Sequence, residues 1–205
     1  LELRYWTFKR PGHNEVIWPE IAIGRGMGTR WTTTLLASYI GPSLGAVNVS
    51  TLNWQNVVLL TQGEWPVDVA LYGAWIHSRE SSFDRALEWG PMLQTDLGRT
   101  QLNLNLMFER VTRATKVDTP QLKYQWQVKH RFMPGFQAGA QGFGELGPWD
   151  QWSPHTKQSH RGGPAVFGQV HGQGVRLLEW QAAHLAGRAY GKSGNMLSVR
   201  AAYSF

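Results

Sequence analysis

Cysteine is absent from the 205 residues, and charged side chains make up only 17% of them. The absence of cysteine excludes disulfide bonds, thiolate catalysis and cysteine-bound zinc or iron–sulfur centres. The charged fraction lies below the roughly 25% of ordinary soluble domains. Long apolar runs are also missing, because no stretch approaches the roughly 18 residues that a membrane-spanning helix needs. The sequence therefore does not predict a helical membrane protein.

Aromatic and apolar residues are plentiful despite the low charge. The chain contains 11 tryptophans and 23 glycines, and 42% of its residues are hydrophobic. This composition is sufficient for an ordered structure, and we expect residues 1–205 to form one domain. The chain opens on Leu1-Glu2-Leu3-Arg4 without a signal peptide, so we expect that any export sequence has already been removed.

Apolar and polar residues alternate along the chain with a period of two. The clearest segment runs from Gln101 to Glu109. Its apolar face is formed by Leu102, Leu104, Leu106 and Phe108. The same alternation recurs over 122–129 and 197–205. Such a period over nine residues is typical of a β-strand and not of a helix.

The breaks in this alternation predict about twelve strands of about ten residues each. We place them at 1–9, 15–24, 29–40, 47–61, 66–77, 85–96, 100–111, 120–131, 136–146, 163–172, 176–186 and 196–205. Every second connection is short and contains glycine or proline, as tight reversals require: 25–28, 62–65, 97–99, 132–135 and 172–174. The intervening connections are mostly longer and more polar, and they include 78–84, 112–119, 147–162 and 187–195.

Short turns at one rim and long loops at the other are typical of an outer-membrane barrel. A soluble barrel of this size would enclose an apolar interior too wide for its small side chains to fill. The inverted arrangement has no such difficulty, since Leu104, Trp126 and Val199 then face lipid and polar side chains face the lumen. We therefore predict an all-β fold, a closed up-and-down antiparallel transmembrane β-barrel of about twelve strands.

The segment Leu197-Ser198-Val199-Arg200-Ala201-Ala202-Tyr203-Ser204-Phe205 resembles the C-terminal signal of Gram-negative outer-membrane barrels, which ends in an aromatic residue, usually Phe. The resemblance implies export to the cell outer membrane, recognition of this strand by the insertion machinery, and both termini on the periplasmic side. The segments 143–147 and 158–164 resemble small transporter barrels of the phenol-degradation MetA-pathway type. That second resemblance implies no established chemistry.

Charged residues on the polar faces are the first candidates for function. The predicted lumen-lining set is Glu88, Glu109, Lys123, Lys129, Glu145, Glu179 and Arg200. Opposed charges on the wall of a narrow conduit would orient a small polar or amphipathic solute. The same residues could instead cross-link one another and plug the lumen. The sequence leaves these two interpretations open.

The predicted loop 147–162 contains Trp149, Trp152, His155 and His160. We expect the two tryptophans to fold this loop over the barrel mouth, while His160 forms a latch by hydrogen bonding inside, with Glu145 as its partner. A metal site built from Asp150, His155 and His160 matches no firm ligand spacing, so we predict no metal and no cofactor.

The net charge of +6 comes from basic residues that are scattered singly, without a run of five. On the predicted topology many of them lie at the long-loop rim, which would face lipopolysaccharide phosphates. The set predicted to face lipopolysaccharide is Arg79, Arg85, Arg113, Lys116, Arg161 and Arg188. This placement accounts for the positive charge without a nucleic acid partner.

These observations favour a channel or transporter for small solutes in the outer membrane. A structural or partner-binding envelope barrel with a plugged lumen is the alternative. An outer-membrane lipid hydrolase is disfavoured, because Ser159 and His160 are adjacent and would point to opposite faces of a strand. The sequence thus predicts no catalytic residues, and it identifies neither the solute, a protein partner, nor the oligomeric state.

Overall fold

A computed structural model describes residues 1–79, 85–113, 116–174, 176–189 and 191–205. The strands are β1 (Glu2–Phe8), β2 (Val16–Met27), β3 (Trp31–Ile40), β4 (Asn48–Leu59), β5 (Asp68–Ser78), β6 (Arg85–Leu97), β7 (Thr100–Arg113), β8 (Lys116–Val117), β9 (Gln121–Met133), β10 (Phe136–Pro148), β11 (Ser159–His171), β12 (Leu177–Ala189) and β13 (Lys192–Ser204). No helix within these described ranges has both the length and the hydrophobicity to cross a membrane.

The twelve long strands form one closed antiparallel barrel, as the alternation predicts. Strands adjacent in sequence pair with each other, β9 pairs with β7, and the two-residue β8 pairs only with the end of β7. Pairing of β1 with β13 and of β6 with β7 completes the ring. Closure leaves no long strand with an unpaired edge.

Two of the connections differ in length from the prediction. Strands β12 and β13 extend to Ala189 and from Lys192 and pair up to these ends, so the connection predicted at 187–195 is shortened to two residues. Conversely, the connection predicted at 62–65 spans 60–67 between β4 and β5, and Arg30 contacts it at two points. The Arg30 guanidinium donates to the Leu60 carbonyl at 2.8 Å and to Glu64 Oε1 at 2.5 Å. The backbone amide of Gln62 contributes most to lowering the pKa of the Glu64 carboxyl.

The apolar faces of the strands point outward. Leu104 and Val199 are 38% and 37% exposed on the outside of the barrel. Trp126 pairs directly with Leu104 and shares its outward face. These residues are therefore not packed in a dry interior, an arrangement that would contradict a membrane barrel.

Glycines on the outer face make room for aromatic rings. A Cβ on Gly142 would lie 2.7 Å from the Trp126 indole, and one on Gly144 would lie 2.6 Å from the Tyr124 ring. The rings therefore lie flat against the neighbouring strand, which a side chain at either glycine would prevent. This close approach explains why β10 contains residues that read as strand breakers in the sequence.

The same packing extends β10 to Pro148 and lets β11 begin at Ser159. Phe143 pairs with Arg161, and Glu145 pairs with Ser159. The loop predicted at 147–162 is therefore confined to 149–158. This difference places Arg161 in a strand rather than in a loop.

Candidate functional site

The barrel encloses a cavity of about 700 Å³. Its lining combines three kinds of side chain: aromatic rings from β1, β2 and β10, amides from β7, β9, β10 and β12, and charged groups. Of the predicted lumen-lining residues, Lys129, Glu145 and Arg200 line this cavity. Glu179 lies two positions from Gln181, which also lines it, on the same face of β12.

The other three predicted residues form a charged cluster on the inner wall. Glu88 and Glu109 are directly opposite each other on β6 and β7. The ammonium group of Lys123, on β9, lies 2.6 Å from Glu109 Oε2 and 3.7 Å from Glu88 Oε2. A cation between two facing carboxylates offsets the repulsion that they would otherwise exert on each other.

A second charged cluster closes the seam between β1 and β13. Arg4 and Arg200 are directly opposite each other across this seam, and the Glu2 carboxylate bridges them. Arg200 donates to both oxygens of Glu2, at 2.6 Å and 3.0 Å, in a bidentate arrangement. Arg4 also lies 3.7 Å from Glu20, which accepts a hydrogen bond from Ser38. Sequence reasoning identified Arg200 but missed Glu2, Arg4 and Glu20.

One wall of the interior is apolar, contrary to the expectation of a polar lumen throughout. Phe167, Leu185 and Met196 are buried there and pack with alanines of β11 and β12. Trp6 and Phe143 join this wall from β1 and β10, with ring centroids 5.9 Å apart in an edge-to-face arrangement. The interior therefore has an apolar side and a polar side.

Arg161 faces this apolar wall, and its predicted contact with lipopolysaccharide is wrong. Its guanidinium carbon lies 4.8 Å from the Phe8 ring centre and 5.2 Å from that of Phe143. Lys129 makes a similar contact, with its ammonium group 5.0 Å from the Phe167 ring centre. Cation–π contacts thus hold two basic side chains inside the barrel.

Four amides form a belt inside the barrel that sequence reasoning missed. This amide belt consists of Asn103, Gln127, Gln141 and Gln181. Gln127 Nε2 donates to Gln141 Oε1 at 3.0 Å and to Gln181 Oε1 at 3.5 Å. Asn103 donates to Gln127 Oε1 at 3.5 Å. The sequence does contain a signal for these amides, since all four lie on the polar side of the alternation. The predicted lumen-lining set, however, contains charged residues only.

The remaining predicted lipopolysaccharide contacts divide into two groups. Arg79, Arg85 and Arg188 are exposed at the rim opposite the chain termini. Arg85 also lies above the exposed Trp75 ring, 5.9 Å from its centre. The side chains of Arg113 and Lys116 lie outside the described residues.

The latch residue His160 has partners other than the predicted Glu145. Its Nε2 donates to Gln158 Oε1 at 2.8 Å, which leaves Nδ1 to accept from the Tyr124 hydroxyl at 2.8 Å. Gln158 in turn donates to the Ser153 carbonyl at 2.7 Å. Strand pairing explains the difference, because Glu145 is opposite Ser159, whereas His160 is opposite Gly144 on the outer face.

Of the other predicted loop residues, His155 contacts this chain of hydrogen bonds and the two tryptophans are exposed. The His155 ring stacks on His160, with centroids 5.7 Å apart. Trp149 and Trp152 are 53% and 60% exposed. No group of three histidine, aspartate or glutamate side chains within the described residues is arranged to hold a metal ion.

The hydrogen bonds of His160 give a testable prediction. We expect His160→Ala to reduce the free energy of unfolding by about 1 kcal/mol, because it removes two hydrogen bonds that join the loop to β9. Thermal unfolding in detergent measures the change. His184→Ala, at an exposed position of β12, is the matched control. An unchanged melting temperature in His160→Ala would show that the loop is held by its backbone alone.

No family model matches the chain, and no curated protein matches it. Solved structures with a similar fold do exist. The NanC porin shares 11% identity, with a TM-score of 0.63 over 99% of this chain and 100% of that chain. The KdgM porin in complex with disordered oligogalacturonate shares 9% identity, with a TM-score of 0.60 over 100% and 99%. A further structure, of the KdgM porin, shares 10% identity, with a TM-score of 0.54 over 100% of this chain and 99% of that chain. The chain thus has the fold of these porin barrels.

Proposed function

We propose that this protein is a narrow channel for small solutes in the outer membrane of a Gram-negative cell. The observation that carries the proposal is a cavity of about 700 Å³, lined by polar and charged side chains on one side, inside a closed barrel whose exterior is apolar. An apolar exterior suits acyl chains, and polar residues inside a closed barrel suit an aqueous solute. The porin fold agrees with this function.

The proposal also includes the lipid that the barrel contacts and the machinery that inserts it into the membrane. The exposed Arg79, Arg85 and Arg188 would bind lipopolysaccharide phosphates through charge-assisted hydrogen bonds. The C-terminal segment 197–205, most of which is the end of β13, would present the C-terminal signal to the insertion machinery. Lipid, lipopolysaccharide and this machinery are then the partners of a channel that has no catalytic role and needs no cofactor.

A plugged structural barrel is the second candidate, and the internal contacts favour it specifically. The charged clusters pair within the lumen, and the Gln127–Gln181 bond joins strands that are not neighbours. A barrel cross-linked in this way would serve as a scaffold and conduct nothing. The two candidates differ in one measurable property, the conductance.

Planar bilayer recording tests the proposal. We expect the purified protein to produce discrete conductance steps, smaller than those of the wider sixteen-strand porins. The same preparation after heat denaturation is the control. A silent bilayer with a correctly folded sample would contradict the channel and favour the plugged scaffold.

A further inference from the structure

The hydrogen bond between Gln127 and Gln181 joins strands that are not neighbours. Gln127 lies on β9 and Gln181 on β12, and two further strands separate them in the wall. Three strand steps are a quarter of the twelve-strand ring, so the contact between their side chains bridges the inner faces of β10 and β11 and cuts across one side of the lumen. Both residues line the central cavity, so the crossing lies in the path that a solute would take.

The two ends of this crossing are held with different strength. Gln127 is held by Gln141, its direct partner on β10, at 3.0 Å, and has a longer contact of 3.5 Å with Asn103 on β7. Gln141 is only 6% exposed. The bond to Gln181 is 3.5 Å long, at the limit for a hydrogen bond, and is therefore weak. A firmly held amide thus faces one that can be displaced.

The charges around the amide belt are largely engaged with other partners. Arg200 is bound to Glu2 in the bidentate pair. Lys129 and Arg161 lie against aromatic rings. What the amide belt offers to a passing molecule is therefore uncharged hydrogen-bond donors and acceptors.

We propose that Gln127 and Gln181 form the selective constriction of the channel, and that it passes uncharged solutes bearing hydroxyl or carboxamide groups. This inference rests on the proposed channel function. Such a solute replaces the Gln127–Gln181 bond with its own hydrogen bonds and leaves no amide unsatisfied. An apolar solute would leave both amides unpaired, and an ion would lose part of its hydration at these two amides, which carry no charge to replace it.

Truncation of Gln181 tests the constriction. Single-channel conductance in potassium chloride is compared among the wild type, Gln181→Ala, Gln127→Ala and Gln121→Ala. Gln121 is the matched control, because it is a glutamine of β9 whose amide donates to the Thr119 carbonyl near the strand end. We expect both amide-belt variants to raise the conductance about twofold or more, since both widen the narrowest section, and Gln121→Ala to leave it unchanged.

Swelling of liposomes containing each variant tests the solute class. Arabinose serves as the neutral hydroxylated probe and gluconate as a charged probe of similar size. We expect the wild type to admit arabinose faster than gluconate, and Gln181→Ala to lose most of that preference. Equal rates for the two probes in the wild type would overturn the selectivity.

The outcomes separate the constriction from the channel itself. Conduction by the wild type with no change in Gln181→Ala would overturn the constriction and leave the channel function standing. A silent wild type with a conducting Gln181→Ala would overturn the channel function and, with it, a constriction that passes solutes. Silence of every folded variant would overturn both. Folding of each variant is verified by its heat-dependent migration on denaturing gels.

A cross-linking measurement checks the crossing independently of conduction. Because the chain has no cysteine, Gln127→Cys/Gln181→Cys contains the only two thiols. Dibromobimane becomes fluorescent when it joins two nearby thiols, and the single variants Gln127→Cys and Gln181→Cys are the controls. We expect strong fluorescence from the double variant alone. Fluorescence no greater than that of the single variants would overturn the crossing.

Discussion

Glu2→Gln is expected to destabilise the barrel by about 2 kcal/mol. The substitution removes the carboxylate that bridges Arg4 and Arg200, which are directly opposite each other across the β1–β13 seam. Arg4 and Arg200 would then face each other without the carboxylate between them, while Arg4 keeps only its longer contact with Glu20. Facing like charges weaken strand pairing. The value lies below that of fully buried pairs because the Arg200 side chain keeps 36% of its surface exposed.

Urea unfolding in lipid vesicles measures this effect at the seam. A double-mutant cycle with Arg200→Gln isolates the pair, because removal of both groups also removes the repulsion. We expect Glu2→Gln/Arg200→Gln to lose less stability than the sum of the two single variants. Additive losses would show that the bidentate pair does not couple the two strands.

Lys123→Met is expected to have a similarly large effect, about 2 kcal/mol of stability, together with a change in ion selectivity. Methionine keeps the length of the side chain but removes the cation between Glu88 and Glu109. The two carboxylates then repel each other in the folded state. The same excess of negative charge would draw cations into the lumen.

Glu109→Gln should reverse most of the Lys123→Met defect. The neutral amide removes one of the two facing negative charges and therefore their repulsion. The stability loss of Lys123→Met/Glu109→Gln relative to the wild type should therefore be smaller than that of Lys123→Met alone. Lys157→Met, in the exposed loop, is the control for loss of a positive charge. A defect that Glu109→Gln leaves unchanged would attribute the loss to packing instead of charge.

The strands and their two faces were predictable because a single physical rule produces both. In a β-strand successive side chains point to opposite sides, so the alternate residues Leu102, Leu104, Leu106 and Phe108 had to share one face. Glycine and proline in every second connection predicted the short turns and hence the up-and-down topology. The seven predicted lumen-lining residues follow from the same parity.

The prediction failed where local composition conflicts with packing. Residues 159–162 run into the glycine pair 162–163 and are predicted as loop, yet they form the start of β11. The reason lies on the neighbouring strands, where Tyr124 and Trp126 cover Gly144 and Gly142. The strand propensity of one segment contains no information about the side chains that another strand packs against it. Arg161 was assigned to the wrong side for this reason.

Alternation by itself determined that this chain forms an antiparallel barrel, and which side chains face its lumen. It did not determine which of those side chains are in contact. An odd or even position in a strand fixes the face of the sheet, but it fixes neither the position of a side chain along the barrel axis nor its position around the circumference. Strand tilt and stagger set these on closure. Only the closed barrel brings Gln127 to Gln181 and Trp6 to Phe143, since each pair comes from strands that are not hydrogen-bonded neighbours.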